Sequence, residues 1–463
     1  MTIIIVPTES CNFRCAYCFE PDEQHVGLDI PYDAEAIKKS IDEIWGGPYK
    51  GSDLCLHGGE TTLIPRSELN DLLEHLYKYK QVINIVTNGY KVDDYHIALF
   101  KKYNVYVGLS WDGPPELNIL RGPNPNDPDI TSFYNENIQR VAKRMREENV
   151  WISIMCILHK ENASTPEKLD KLMEWIKSLR SLGIRGGRMN LMYASTLEKE
   201  VHELSPEEAL RAWITLYEFN KKERLNYNPF REMAKNLLGC KPSPCVFNRC
   251  DSFNTHTISV LPDGTIGNCD RTFSNGIYLR SQSGTQSGRY EVLQQTQCKD
   301  CRYWSICGGG CPMEGEDFDW RNKTKFCKVI YGLYEYIEND LRGTLSGINL
   351  VTDRDFDGNP FKNFPKKQFI ADEEQRLDPL HGDSPHDDTT HGDAIHGDAT
   401  HTDETHGDNV HHDTNHGDTT HGDTSHGDDI HGDTTHGDSI HGDAVHGDIA
   451  HGDSSHGDNP DWR

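Results

Sequence analysis

Between residue 2 and about residue 220, short apolar runs alternate with longer amphipathic segments, and this alternation restricts the fold more than any other feature. Ile3–Val6, Leu54–His57, Val82–Thr87, Val105–Ser110, Trp151–Leu158 and Gly186–Leu191 have the length and side chains of strands. Asp33–Trp45, Arg66–Tyr79, Asp93–Tyr103, Phe133–Glu148 and Pro166–Leu182 carry helical periodicity. The last opens with Ser164-Thr165-Pro166, a cap followed by proline in the first turn. Alternation at this spacing predicts βα units around a parallel sheet. Six units are too few to close an eight-stranded barrel, so the expected core is α/β, a partial (β/α)6 barrel or an open sheet. In such folds function gathers at the C-terminal ends of the strands.

Residues 205–238 read as helices leading out of this core. From Cys240 to Cys327 the chain is loop-rich, with a predicted hairpin of Thr257–Val260, Pro262-Asp263-Gly264 and Thr265–Asn268. A helix over Val329–Leu341 follows. Beyond His381, H-x-D recurs every five residues at sixteen positions, thirteen of them HGD. A solenoid needs an apolar residue at a fixed place in every repeat. Here the variable positions are mostly Thr, Ser and Ala, so the tail is expected to be disordered and extended by its own charge. The expected organisation is an α/β core over 1–225, a small loop-rich, cysteine-rich α+β domain over 226–342, a linker over 343–380 and the repeat tail over 381–463.

The net charge of −27 is concentrated in that tail, which holds 20 acidic residues against the single basic Arg463. No basic arm is present to displace the counterions of a polyanion, which argues against a nucleic-acid partner. The N-terminal MTIIIVPTES lacks a signal-peptide pattern, and no apolar run approaches the ~18–20 residues that span a bilayer. A cytoplasmic protein without membrane contact is the expectation. Of the 14 cysteines, three lie within 11–18 and nine within 240–327. In a reducing compartment such grouping points to metal or catalytic ligands rather than disulfides. Cys55 and Cys156 stand alone in apolar surroundings and read as structural.

Cys11, Cys15 and Cys18 form CxxxCxxC directly after the first strand. Three thiolates on one loop can hold three irons of a 4Fe–4S cube and leave the fourth iron open, an arrangement suited to binding and reducing something else. A zinc site completed by His25 or Cys55 is the plainer alternative. With Tyr17 before the last cysteine, the motif resembles that of the radical S-adenosylmethionine (SAM) superfamily. The resemblance extends to Gly58-Gly59-Glu60, which follows the second strand and is similar to the family's GGE motif at the SAM ammonium. Asn88 after the third strand, and Ser110 and Asp112 after the fourth, are similar to its ribose- and carboxylate-contacting positions. It implies that SAM chelates the open iron and is cleaved to a 5′-deoxyadenosyl radical that takes hydrogen from a substrate. An electron donor such as flavodoxin or ferredoxin is implied as well.

The distal cysteines resemble the SPASM domain, which carries two auxiliary 4Fe–4S clusters behind a radical SAM core. The resemblance implies Cys245, Cys250, Cys269 and Cys311 around one cluster and Cys298, Cys301, Cys307 and Cys327 around the other, making three clusters in all. Cys240 is an alternative to Cys245, and paired zinc sites are an alternative to both clusters, because CxxC loops serve zinc equally well. Asp270, next to Cys269, matches the position of the proposed base in anaerobic sulfatase-maturing members. The implied activity is post-translational modification of a peptide or protein. Two substrates are open: the chain's own HGD repeats, tethered at an effective concentration on the order of millimolar, or a separate sulfatase-like protein. In the second case the tail would be a metal-binding appendage, since imidazole and carboxylate at i and i+2 suit zinc, nickel or iron.

Overall fold

The computed structural model describes residues 2–20, 32–47, 49–124, 128–240, 257–269, 271 and 288–353. The chain divides between Leu380 and His381, and every described residue belongs to the first unit. His25, Cys245, Cys250, Asp270, the linker from residue 354 and the whole repeat tail lie outside the described residues.

The predicted alternation is present. Its elements are β1 (Thr2–Ile5), α1 (Ala34–Trp45), β2 (Asp53–Leu56), α2 (Arg66–Tyr77), β3 (Ile83–Thr87), α3 (Asp94–Lys102), β4 (Val105–Ser110), α4 (Pro128–Glu147), β5 (Trp151–Leu158), α5 (Lys160–Ala163), α6 (Pro166–Ser178) and β6 (Gly186–Leu191). Local chemistry sets the ends. Asp33 caps α1 by accepting the Ala36 amide at 2.9 Å, and Ile37, Ile41 and Ile44 form its buried stripe. Thr165 caps α6 ahead of Pro166, and Leu169, Leu172, Trp175 and Ile176 face inward.

The rest of the described chain forms α7 (Pro206–Lys222), β7 (Asn226–Asn228), α8 (Phe230–Leu237), β8 (Thr257–Val260), β9 (Ile266–Gly267), α9 (Gly288–Gln295), α10 (Trp304–Cys307) and α11 (Cys327–Thr344). The described strands make one sheet in the order β7-β6-β5-β4-β3-β2-β1-β8-β9. β1 to β6 are adjacent and parallel throughout. Each crossover through a helix returns the chain to the same edge, so all six C-terminal ends lie together.

The hairpin of β8 and β9 is antiparallel as predicted, but it does not stand apart from the core. β8 pairs parallel with β1, from Thr2 opposite Thr257 to Ile5 opposite Val260. α11 likewise packs on α7 and α8: Asn236 Nδ2 donates to Tyr334 Oη at 3.0 Å, and Asp340 accepts Tyr217 Oη and pairs with Lys221 Nζ, each at 2.6 Å. One hydrophobic core runs from Ile3 through Trp213 to Leu333 and Leu350, so packing is continuous across residue 225. No helix among the described residues is long and apolar enough to cross a membrane.

Because Ile258 is buried at the β1–β8 seam, Ile258→Ala is expected to destabilise the whole unit by about 2–5 kcal/mol. Denaturant unfolding should show one lowered midpoint; a second, independent transition for the distal segment would contradict a shared core.

Candidate active site

Beyond Ile5, Leu56, Thr87, Ser110, Leu158 and Leu191, the six parallel strands deliver six connecting segments to one edge of the sheet. The first carries Cys11, Cys15 and Cys18. Phe13 anchors it, buried edge-on against Tyr134 at 4.7 Å and Tyr90 at 5.7 Å. The Arg14 and Ala16 amides donate to Gly122 O and Leu120 O, both at 2.9 Å, and Lys199 Nζ donates to Cys18 O at 2.7 Å. The loop is therefore held from three sides.

The three thiols are near enough to oppose one another's ionisation. Burial is the main cause that pushes Cys11 up, followed by the charges of Cys15 and Glu60; burial and then Cys15 push Cys18 up to about 12. Cys15 is raised by burial too, against the pull of the Arg121 guanidinium. Thiols so placed become thiolates only when a cation binds them. Among the described residues no three His, Cys, Asp or Glu groups converge closely enough for one metal ion. Three thiols on one loop are the donor set for three corners of a 4Fe–4S cube.

Glu60 ties the second and third strand ends together. Its buried carboxylate accepts the Thr62 amide at 3.1 Å, and Thr62 Oγ1 and Thr87 Oγ1 at 2.6 Å each, through Oε1. Oε2 accepts the Asn88 amide at 2.7 Å, which uses one of its two lone-pair directions and leaves capacity for a cationic donor. The Asn88 side chain donates to Asn12 Oδ1 at 2.8 Å, joining the third strand end to the cysteine loop. Gly59 meets the chain's own backbone: a Cβ there would stand 2.3 Å from Glu9 O and Ser10 O. Only glycine lets this segment lie flush against the approach to Cys11. Gly58, at φ +115°, faces Thr8 O in the same way.

Asp112 is fully buried and its carboxylate is spent on protein partners. It accepts Arg121 Nε at 2.9 Å and Nη2 at 3.2 Å, the Ile157 amide at 2.8 Å, and Tyr17 Oη. It therefore positions Tyr17 and Arg121 rather than presenting a free carboxylate. Ser110 is buried beside it, and its carbonyl accepts Tyr134 Oη at 2.8 Å. Tyr17 also stacks on His159 at 5.4 Å. Burial lowers the His159 pKa to about 4, so its ring is neutral near pH 7. Arg121, Asn12, Thr62 and His159 were not singled out from the sequence. Each is a lone polar residue in a loop or at a strand end, recognisable only by its partner.

In the distal region, Cys298, Cys301 and Cys307 oppose one another's ionisation and so are gathered as well. Cys327 opens α11. Near Cys269, Arg271 Nη1 lies 3.7 Å from Cys311 Sγ, pairs with buried Glu314 at 3.0 Å, and covers the Tyr193 ring at 4.0 Å. Cys240 is exposed just past α8; Cys156 is buried against Asp112 O at 3.7 Å, and Cys55 is half-buried.

Residues 5–176 match the Radical SAM superfamily. The chain is 24% identical over 346 residues to the cysteine-type anaerobic sulfatase-maturating enzyme of Clostridium perfringens, spanning 67% of this chain and 88% of the relative. It is 24% identical over 362 residues to the serine-type anaerobic sulfatase-maturating enzyme of Bacteroides thetaiotaomicron, spanning 71% and 86%. In three dimensions it is similar to the solved structure of native anSMEcpe with bound AdoMet, with a TM-score of 0.59, 20% identity, and coverage of 75% of this chain and 100% of the other. At that identity the likeness establishes the shared fold.

Two outcomes follow from the site's electrostatics. Asp112→Ala strands the buried Arg121 cation and should lower stability by roughly 3–5 kcal/mol, read by chemical denaturation. His159 has a folded pKa of about 4 against ~6.5 unfolded. Its contribution is thus complete above pH ~6.5 and lost as pH falls toward 4, because the unfolded state takes up the proton first. His159→Phe should flatten the stability profile across that window by up to ~3 kcal/mol; an unchanged profile would show that the ring is not held neutral.

Proposed function

We propose that this chain, a radical SAM enzyme related to the anaerobic sulfatase-maturating enzymes, is a maturase that modifies a peptide or protein. One observation carries the reading: Cys11, Cys15 and Cys18 gathered beside Glu60 at the strand ends of a domain that matches the superfamily. The three thiols would hold three irons of a 4Fe–4S cluster, and the remaining lone pair on Glu60 Oε2 would receive the SAM ammonium. When bound, the cluster and SAM supply reductive cleavage to methionine and a 5′-deoxyadenosyl radical, which takes hydrogen from the substrate. Tyr17, Asn88, Ser110 and Asp112 act by holding the walls of this pocket, and the Gly58-Gly59 segment brings Glu60 against the cysteine loop.

The distal thiols would carry two auxiliary 4Fe–4S clusters, one on Cys245, Cys250, Cys269 and Cys311, the other on Cys298, Cys301, Cys307 and Cys327. Asp270 would accept the proton released when a substrate radical is oxidised. The repeat tail is the substrate this reading favours, since sixteen tethered copies of H-x-D present the same target at high effective concentration. With no cysteine in residues 381–463, a thioether to a tail cysteine is excluded. The names of the curated relatives support a second reading, in which the substrate is a separate sulfatase-like protein and the His/Asp tail binds metal.

Anaerobically reconstituted protein with SAM and dithionite is expected to release 5′-deoxyadenosine, and Cys15→Ala to fall to background. Tandem mass spectrometry of the tail should show a mass change repeated across the pentapeptides in the wild type and absent from Cys15→Ala. An unmodified tail, with turnover on a sulfatase peptide preserved after deletion of 381–463, would transfer the substrate role to a separate protein.

A further inference from the structure

The loop after α10 is unusual in its backbone. Gly308, Gly309 and Gly310 all have positive φ, at +58°, +83° and +75°. A Cβ on Gly309 would stand 2.5 Å from Leu293 Cδ1, and one on Gly310 2.3 Å from Thr324 Cγ2. Both conformation and space therefore demand glycine. The result is a curl in which the Gly310 amide donates to Cys307 O at 3.1 Å, and the Gly309 and Gly310 amides lie on the side of the loop where they favour the Cys307 thiolate. Successive amides turned to one side form a nest, a concavity that attracts anions and recurs at Fe–S sites.

Behind the curl lies Arg289, 5% exposed on α9. Its Nε donates to Trp320 O at 2.8 Å, its Nη1 to Gly310 O at 3.3 Å, and its Nη2 to Gly309 O at 3.1 Å and Asn322 O at 2.8 Å. Gly309 O and the Gly310 amide belong to one peptide group and point opposite ways, so the guanidinium that holds Gly309 O fixes the direction of the Gly310 amide toward Cys307. Lys323 is 2% exposed, its Nζ lies 3.7 Å from Glu316 Oε1, and its amide donates to Gln297 Oε1 at 2.8 Å. The charge of Arg289 favours anionic sulfur at both Cys298 and Cys307, and that of Lys323 at Cys298.

We propose that Arg289 is a positioning residue for the cluster held by Cys298, Cys301, Cys307 and Cys327: it holds the Gly308–Gly310 curl against Cys307 and, together with Lys323, raises the reduction potential of that cluster. The inference rests on the auxiliary clusters of the proposed function. Reduction adds one electron to an already anionic thiolate-bound cluster. Amide dipoles and buried cations at the sulfurs stabilise the added charge, and hydrogen bonding and net charge are the protein's principal controls on such potentials. No bond is made or broken; in the titration the electron comes from dithionite.

The test is an EPR-monitored redox titration of full-length, anaerobically reconstituted protein, with the signal of this cluster identified by its loss in Cys301→Ala. Arg289→Met and Lys323→Met are each expected to retain the wild-type iron content and to shift that one midpoint to lower potential, leaving the other clusters in place. Lys323→Met removes a buried cation and leaves its Glu316 partner uncompensated, so it remains decisive where Arg289→Met loses iron. Full iron with unmoved midpoints in Lys323→Met and in any iron-replete Arg289→Met would overturn the inference alone. Iron content and spectrum unaffected by Cys301→Ala would instead remove the cluster, and the inference with it.

Discussion

A carboxylate sealed from water has to find all its compensation within the protein, and at Asp112 that requirement knits the candidate site together. Its four acceptor directions reach the cysteine loop through Tyr17, the loop after β4 through Arg121, and β5 through the Ile157 amide. The backbone of the same residue is held too: its amide donates to Asn118 Oδ1 at 3.1 Å, and its carbonyl accepts Asn162 Nδ2 at 3.0 Å. A charge at this depth adds little net stability over a well-packed apolar substitute. What it gives is geometry: Tyr17 is fixed between Asp112 and His159, which sets the path of the loop from Cys15 to Cys18. Glu60 does the same for the β2 and β3 ends. Two buried carboxylates thus join segments that the sheet alone would only bring near.

Local pattern made the core legible. The predicted β4, β5 and β6 coincide with the observed strands, and the helices of the α/β core are found within a few residues of their expected ends, because apolar periodicity and capping act over a few neighbours. The motif segments fell at strand ends for the same reason. The seam between β1 and β8 was not legible. Thr257–Val260 reads as an apolar strand whichever sheet receives it, and a parallel partner 255 residues away leaves no mark on the local sequence. The boundary expected near residue 225 rested on composition, whereas apolar side chains from both sides of it share one core.

The motif residues were visible, but their partners were not. Gly59 stands out as one of a glycine pair, yet what demands it is the backbone of Glu9 and Ser10. Asp112 stands out as a carboxylate at a strand end, a place where a ligand contact and a structural hub look alike; the partner that satisfies it in the fold, Arg121, lies nine residues on in a loop and carries no mark of that pairing. Likewise the spacing of Cys298, Cys301 and Cys307 announces a ligand set, while Arg289 precedes it on a helix and looks like any surface arginine. Residue type locates chemistry in a sequence, but compensation of buried charge is a property of the folded chain.

The two described thiol groups differ in that compensation, and on the proposed reading the difference has a direction. Near Cys11, Cys15 and Cys18 the buried charges include the Glu60 and Asp112 carboxylates, with Arg121 shared between Cys15 and Asp112. Near Cys298, Cys301 and Cys307 they include the Arg289 and Lys323 cations, reinforced by the amides of the glycine curl. Carboxylates beside a thiolate-bound cluster resist an added electron, and cations and amides welcome it. A cluster that must cleave a sulfonium has to be strongly reducing, and a cluster that receives an electron from a substrate site has to be less so. On that reading Glu60 and Asp112 at the strand ends, and Arg289 and Lys323 behind the distal loop, would bias the two centres in opposite directions, although Arg121 and Glu316 each offset part of that bias.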